Sequence, residues 1–378
     1  MSMILTEEQE LIINVAREFA VREIRPRIRE IEETDERPLD LMDRAAELGF
    51  RGITIPEEWG GLGLGLKTQV LVVEELAKEG YIGGSLANNM MATPMWKAGT
   101  QEQKERFLEG LATGSYKMGL AFTEAGAGSD ASAIQTTAVK DGDEWVLNGT
   151  KIWISAAKSN DAFLVSARTN ESGNGGISSF IVEKKFPGYS VGAMFEKIGL
   201  HGSETGEINL VNCRVPAKNM MGEENKGLRV VLSALDCGRV IVAAIALGMA
   251  QGVFERAVAY AKQRVQFGKP ISEFQVIQHY AADMLKEIQV ARAMIYTTAE
   301  LADAKKPYST EASIAKLYAT EMCCHVADRA IQICGGFGLT KDGDIERYYR
   351  DARILPIVEG TSEIQKMVIA RTIFPKSK

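Results

Sequence analysis

Residues 123–131 read TEAGAGSDA. The core GAGSDA fits the dinucleotide-binding pattern G-x-G-x-x-A, and an apolar run, MGLAF at 118–122, precedes it as a strand should. In a Rossmann turn a helix starts at the glycines, so that its free N–H groups hold a pyrophosphate, and a parallel strand follows. Here the next segment is ASAIQTTAVKDGDEWVLNGTKIWIS, 131–155. DGDE has turn chemistry and WVLNGTKIWIS alternates like a strand. The flanks predict antiparallel β structure and exclude the doubly wound reading. Two readings stay open for the glycines: a tight turn in which they serve geometry alone, or a loop whose backbone approaches a ligand.

Outward from this loop, the chain divides in three. Residues 119–225 hold short segments rich in β-branched and aromatic residues, separated by turn signals. They are KMGLAF, TTAVKDGDEWVLNG, KIWIS, AFLVSAR, SSFIVEK and INLVNCRVP, with a turn expected at ESGNGG, 171–176. Residues 1–118 read as helical. LTEEQELIINVAREFAVREIRPRIREIEE has apolar residues at three- and four-residue spacing, with Thr6 as its cap and Pro26 as a kink or break. EEWGGLGLGLK at 57–67 must be a loop, and QVLVVEELAKEG resumes a helix that ends on Gly80. Residues 226–378 return to helix, from Gly227 to about Gln266, Glu273 to Ala304, Thr310 to Cys334, and again from near Thr361. The expected fold is α+β and multidomain: a helical N-terminal domain (1–118), a middle antiparallel β domain (119–225) and a C-terminal helical, four-helix-bundle-like domain (226–378). There is no internal repeat.

The bulk numbers narrow the function. The chain has 378 residues, 46% hydrophobic and 25% charged, with net charge -6 and pI about 5.5. An acidic balance argues against nucleic-acid and anionic-membrane binding. The richest apolar stretch, VIVAAIALGMA at 240–250, is short for a membrane span and lies between Arg239 and Arg256, so a buried helix is expected. Five cysteines show neither disulfide nor zinc spacing, so reduced thiols and no metal are expected. No signal or Arg-rich transit pattern is read at the N-terminus, and the expected location is cytoplasmic.

Five motifs in register then resemble the acyl-CoA dehydrogenase family nearly end to end. They are FTEAGAGSDA (122–131), NGTKIWIS (148–155), RVQFGKPISEFQ (264–275), QICGGFG (332–338) and RDARILPIVEGTSEIQ (350–365). The resemblance implies FAD as cofactor, an acyl-CoA substrate, and an electron-transfer flavoprotein as redox partner. It implies that Phe122 and Thr123 lie along the flavin, Trp153 packs against its ring, and Ser155, where the family usually has Thr, hydrogen-bonds near N5. Arg264, Gln266 and Phe267 would reach the FAD of a neighbouring subunit in a homotetramer, while Gln332, Gly335 and Gly336 form a turn near its adenosine side. Thr361 would also contact FAD. Ser129, Arg239, Val358 and Gly360 would line the substrate.

Glu359 is the expected base. The proton next to a thioester is weakly acidic, so its removal needs a positioned carboxylate and donors for the enolate-like oxygen. Some family members carry the base instead at the position of Gly238, where this chain has no carboxylate. Many relatives have Tyr where Val358 stands, which points to tolerance of a bulkier or branched acyl group, or to a neighbour filling the space. Asn88 and Asn89, in GGSLANNMMATPM at 83–95, either meet a polar substituent or cap local backbone. No Arg occurs from Ile82 to Met95, so a glutaryl substrate is disfavoured. The expected reaction is α,β-dehydrogenation of a short- to medium-chain acyl-CoA. The alternatives are enoyl-CoA reduction by the same machinery, an oxygen-using oxidase or monooxygenase, and a DNA-associated non-dehydrogenase relative.

Overall fold

Thr6 starts the first helix. Its hydroxyl accepts the Gln9 N–H and the Gln9 side chain accepts the Thr6 N–H, a reciprocal cap. The computed structural model describes residues 5–170 and 176–374; the turn expected at 171–176 falls outside them except for Gly176. Helix α1 (Glu7–Phe19) runs into a π turn (Ala20–Ile24) and a 3-10 turn (Arg25–Arg27) before α2 (Ile28–Thr34). Pro26 lies in the 3-10 turn, where its missing N–H and its ring break the i→i−4 ladder. There follow α3 (Leu39–Glu47), α4 (Leu66–Ala77), α5 (Tyr81–Leu86), α6 (Ala92–Ala98) and α7 (Gln101–Thr113). Helix α4 stops at Ala77, short of the expected Gly80. The chain turns there to bury Glu79, which takes Arg25 at 2.6 Å and Arg256 at 2.7 Å. Gly80 (φ 106°) begins α5 instead, and a Cβ there would lie 1.8 Å from the Arg347 guanidinium.

The middle region contains β1 (Met118–Ala121), β2 (Thr137–Asp141), β3 (Glu144–Ser155), β4 (Ala162–Arg168), β5 (Ile177–Glu183), β6 (Tyr189–Met194), β7 (Thr205–Pro216) and β8 (Met220–Met221). The order is β6-β7-β3-β2-β4-β5-β8, with β1 on β4. The two segments read as WVLNG and KIWIS are one strand, β3. Strand β6 was not legible: its half-exposed YSVGAM carries little apolar alternation. Pairing is antiparallel except along β4, which β1 and the first residue of β2 meet in parallel. Both therefore occupy the same edge of β4, and residues 122–136 are a loop leaving that edge between them. No regular α-helix follows its glycines; Ala131–Ala133 forms only a 3-10 turn.

The last third contains α8 (Gly227–Gln263), a hairpin of β9 (Val265–Gln266) and β10 (Lys269–Pro270), α9 (Gln275–Asp303), α10 (Ser309–Cys334), α11 (Glu346–Ala352) and α12 (Ser362–Ile373). Helix α8 contains a stretch long and apolar enough to cross a membrane, and 72% of that stretch is buried within the protein. It is the central core helix: Ile245, Leu247, Met249 and Val253 are fully buried against α4, α9 and α10. Burial of each such side chain contributes about 1.5–3 kcal/mol. Helices α1–α5 and α8–α11 share this core; α6 and α7 pack instead on one face of the sheet, at Met118, Leu164 and Ile181, and the sheet has a further core around Trp145, Phe163 and Phe180.

Candidate active site

Glu359 sits in the turn between α11 and α12. Buried Tyr348 and Leu355 anchor the chain before it, and Thr361 caps α12 after it by accepting the Ile364 N–H. Glu359 (φ 55°) and Gly360 (φ 93°) are consecutive left-handed residues. For a non-glycine residue this costs about 1–2 kcal/mol and persists only when the surroundings impose it. Three helices impose it here. Gln365 of α12 donates to the Glu359 carbonyl (3.1 Å) and the Gly360 carbonyl (2.8 Å). Lys316 of α10 donates to the Gly360 carbonyl at 2.8 Å. The Nε of Arg239, on α8, reaches the Glu359 carbonyl at 3.5 Å. Arg239 also pairs with Asp236 at 2.9 Å, so it combines an ion pair with a loop contact.

The main chain of this turn is therefore held while the carboxyl is left free. Oε2 of Glu359 is enclosed and has no hydrogen-bond partner. The Glu359 N–H likewise donates to nothing among the described residues. Burial pushes the carboxyl up to about 7, against the opposing pull of Arg239 and Lys316. A Cβ on Gly238 would lie 2.9 Å from Oε2 and 3.2 Å from the carboxyl carbon. The two positions to which the resemblance assigns a base thus face one another, and only Glu359 supplies an acid.

The raised value has a stability consequence with a definite sign. Below the ordinary glutamate value of about 4.3 the carboxyl is protonated folded and unfolded, and nothing is lost. Between there and pH 7 the unfolded chain releases a proton that the folded chain keeps, so stability falls as pH rises. Glu359→Gln should therefore raise Tm at about pH 8, by a stabilisation on the order of 3 kcal/mol, and leave it unchanged near pH 4. Equal Tm differences at both pH values would contradict this burial.

A second group of expected residues gathers on the sheet. Ile152 and Trp153 together oppose a single residue of β7, a bulge between the pairs Lys151–Ile208 and Ile154–Gly206. Such bulges re-aim side chains. Trp153 (φ 59°) stands 57% exposed, backed by Phe195 at 4.3 Å. Exposed Ser155 follows at the strand end. The 122–136 loop is pinned beside them. Lys151, fully buried, donates to Glu124 (2.7 Å) and the Phe122 carbonyl (3.0 Å). Glu124 also accepts from the N–H groups of Gln135 and Thr136. Thr123 accepts the Ile152 N–H at 2.9 Å. Thus Phe122, Thr123, Trp153 and Ser155 share one rigid base, while the tip, with Ser129, is exposed.

The glycines of that tip answer the question left open by the sequence. Neither Gly126 nor Gly128 has positive φ. A Cβ on Gly126 would meet nothing within 4 Å, and on Gly128 only a Thr123 methyl at 4.0 Å. Fold geometry does not require glycine here, which supports close approach by a ligand. Gly336, at the end of α10, is likewise open on all sides. Gly335 (φ 59°) beside it turns the chain, and exposed Gln332 precedes it.

Arg264, Gln266 and Phe267 form a third group, on the β9–β10 hairpin. All three are exposed, and Phe267 (φ 51°), at 95%, is among the most exposed apolar side chains described. Within the chain its ring meets Phe274 edge-on, with centroids 6.0 Å apart.

Around the segment 83–95, Asn89 donates to the Arg51 and Leu111 carbonyls (2.8 and 2.9 Å). Its amide therefore fixes backbone, though in segments distant in sequence and not the local backbone expected. Arg51, also buried, reaches the Leu86 and Asn88 carbonyls. Three neighbours of the base were not foreseen: Tyr81, Lys316 and Gln365. Tyr81 packs on the same core as Val358, and the electrostatic influence of Glu359 reaches its phenol. Lys316 and Gln365 are fully buried. Their signal in the sequence was a long polar side chain on the apolar stripe of a helix: Lys316 falls in line with Ala312, Ala315 and Ala319.

Comparison with known proteins supplies the remaining information. The N-terminal, middle and C-terminal domain patterns of acyl-CoA dehydrogenases match residues 6–115, 119–213 and 225–374. The chain is 43% identical to a probable acyl-CoA dehydrogenase of Bacillus subtilis, covering 99% of this chain and 100% of that protein. It is 41% identical to a subunit of the caffeyl-CoA reductase–Etf complex of Acetobacterium woodii, covering 99% and 100%. The structure of butyryl-CoA dehydrogenase from Megasphaera elsdenii superimposes with a TM-score of 0.96 at 38% identity, covering 99% and 100%.

Proposed function

The chain belongs to the acyl-CoA dehydrogenase family, and from that premise we propose that it interconverts short- to medium-chain acyl-CoA thioesters and their 2-enoyl-CoA counterparts, with Glu359 as the acid–base group. The observation that carries this reading is the Glu359 carboxyl: enclosed, without a partner, pushed to about 7, on a turn whose main chain is clamped. A general base works best when its pKa lies near the working pH.

FAD is the redox cofactor of this family, and the residues present fit it. A broad flat ring needs an aromatic wall and polar groups at its edge, which the exposed Trp153 face, Phe122, Thr123 and Ser155 offer. The open backbone at Gly335 and Gly336 suits a nearby adenosine portion, and Arg264 suits a pyrophosphate because its fork donates two hydrogen bonds. FAD held there would supply the acceptor for the hydride leaving the β-carbon. The protein supplies the rest. Glu359 takes the α-proton, and its own unengaged N–H is available to the thioester oxygen as negative charge develops there. Seated substrate excludes water from the carboxylate and favours proton transfer. Ser129 meets the CoA arm from the exposed loop tip, while Arg239 and Gly360 shape the turn on which the thioester lies.

Electrons pass between the enzyme and an electron-transfer flavoprotein, a reading supported by the relative named as part of an Etf complex. That same name supports the reductive direction as a second reading, in which protonated Glu359 delivers the α-proton. A homotetramer, with Phe267 and Arg264 covering a neighbour's cofactor, would account for the exposed hairpin. The proposed location is the cytoplasm.

Substrate width follows from Val358. It lacks the bulk and hydroxyl of Tyr, and the proposal is tolerance of branched or cyclic acyl groups. Rates on straight, branched and cyclic acyl-CoAs should show Val358→Tyr losing roughly tenfold or more on the bulky substrates relative to the straight ones, about the low end of what one methylene is worth in an apolar pocket. Unchanged selectivity would mean that a neighbour such as Tyr81 already fills the space.

A further inference from the structure

Lys316 is the cation that the mechanism above does not use. Its side chain is fully buried in α10, on the face formed by Ala312, Ala315 and Ala319. No carboxylate lies within ion-pair distance of it among the described residues. A buried ammonium without an ion pair costs several kcal/mol of desolvation. The hydrogen bond it makes, to the Gly360 carbonyl at 2.8 Å, does not need a charge, because Gln365 already donates to that oxygen at 2.8 Å. A neutral side chain could replace the bond. What a neutral side chain could not replace is positive charge one residue from Glu359.

We propose that Lys316 is a positioning residue for the acid–base group: from α10 it fixes the left-handed Glu359–Gly360 turn through the Gly360 carbonyl and sets a positive field at the Glu359 carboxylate. The proposal rests on the reading of Glu359 as the base. The turn faces four helices. Arg239 and Cys237 face Glu359 from α8, Tyr81 from α5 and Lys316 from α10, while Glu363 of α12 and Glu321 of α10 face Lys316. Two of these groups, Arg239 and Lys316, favour the ionised carboxyl. Arg239 pulls harder and is paired with Asp236, whereas Lys316 has no ion-pair partner among the described residues. The ammonium responds in kind: burial lowers it to about 8, and Glu359 pulls the other way.

Two substitutions separate hydrogen bond from charge. In the dehydrogenating direction kcat/KM rises with pH as Glu359 ionises, and removal of a nearby cation moves that rise to higher pH. Lys316→Gln keeps a donor and removes the charge, so the rise should move up by about one pH unit with the plateau kcat within about threefold of wild type. Lys316→Met removes both, so the same displacement should come with a plateau kcat lower by about tenfold or more. FAD content and Tm of each variant report folding. A rise at the wild-type pH in Lys316→Gln overturns the inference, as does a wild-type plateau in folded Lys316→Met. Should Lys316→Met fail to fold, the pH profile of Lys316→Gln decides by itself. Retained turnover in Glu359→Gln would instead remove the base assignment, an outcome read in a separate variant.

Discussion

Glu359→Gln should retain bound FAD and lose turnover by at least about a thousandfold, the range that a positioned general base contributes. The substitution is nearly isosteric. Oε2 makes no hydrogen bond that the change could break. The bonds that hold the turn run to the Glu359 and Gly360 carbonyls, from Arg239, Gln365 and Lys316. Those are main-chain acceptors and survive the change. The expected FAD contacts lie on β3, on the 122–136 loop and at the end of α10, none of them through the Glu359 carboxyl. An amide cannot accept the α-proton at neutral pH, so binding and chemistry part company. Acyl-CoA should still bind, the flavin should stay oxidised in its presence, and Tm above pH 7 should rise. Turnover within tenfold of wild type would show that another group is the base.

The second large effect is a rescue. Glu359→Gly should be inactive, and adding Gly238→Glu should restore activity by at least about tenfold over that single variant. The geometry makes the two positions exchangeable. A Cβ at 238 would stand 2.9 Å from the present Oε2, so a two-carbon carboxylate from α8 can enter the volume that Glu359 vacates. Its nearest other neighbour is the Met90 methyl at 3.3 Å, the end of a flexible chain. Helix propensity favours Glu over Gly at 238 by about 0.5–1 kcal/mol. Restoration will be partial, because the incoming carboxylate starts from α8 and not from the turn, so it approaches the α-proton from a different direction. In the wild-type background a side chain at 238 collides with Glu359, so Gly238→Glu alone should reduce activity. No gain in the double variant, with FAD bound and the fold intact, would contradict the shared volume.

Much of the architecture was legible because its signals are local. Apolar spacing marked α1, α4, α8, α9 and α10 within a few residues, and the absence of helical periodicity after Gly128 separated TEAGAGSDA from the fingerprint it mimics. Strand β6 and the end of α4 were not legible. Their placement depends on partners distant in sequence: β7 for the one, and Arg25 with Arg256 around Glu79 for the other. The site divides similarly. Glu359, Gly238 and the flavin-side residues came from motif resemblance; composition alone would leave Glu359 as a solvated loop acid. The clamp of Lys316 and Gln365 could be seen only when α10 and α12 met at Gly360. The glycines of the opening loop reversed the usual expectation. They have ordinary φ and empty surroundings, so the fold tolerates side chains there and a ligand is the better reason for their absence.

The chain is proposed to take a proton from the α-carbon and a hydride from the β-carbon of an acyl thioester, or to return both. Anaerobic mixing of the purified, FAD-loaded protein with a panel of straight, branched and cyclic acyl-CoAs tests it most directly. At least one acyl-CoA should remove the visible absorption of the flavin, the matching 2-enoyl-CoA should restore it, and Glu359→Gln should show neither change. Bound FAD that no acyl-CoA reduces, and that once reduced no enoyl-CoA reoxidises, would contradict it.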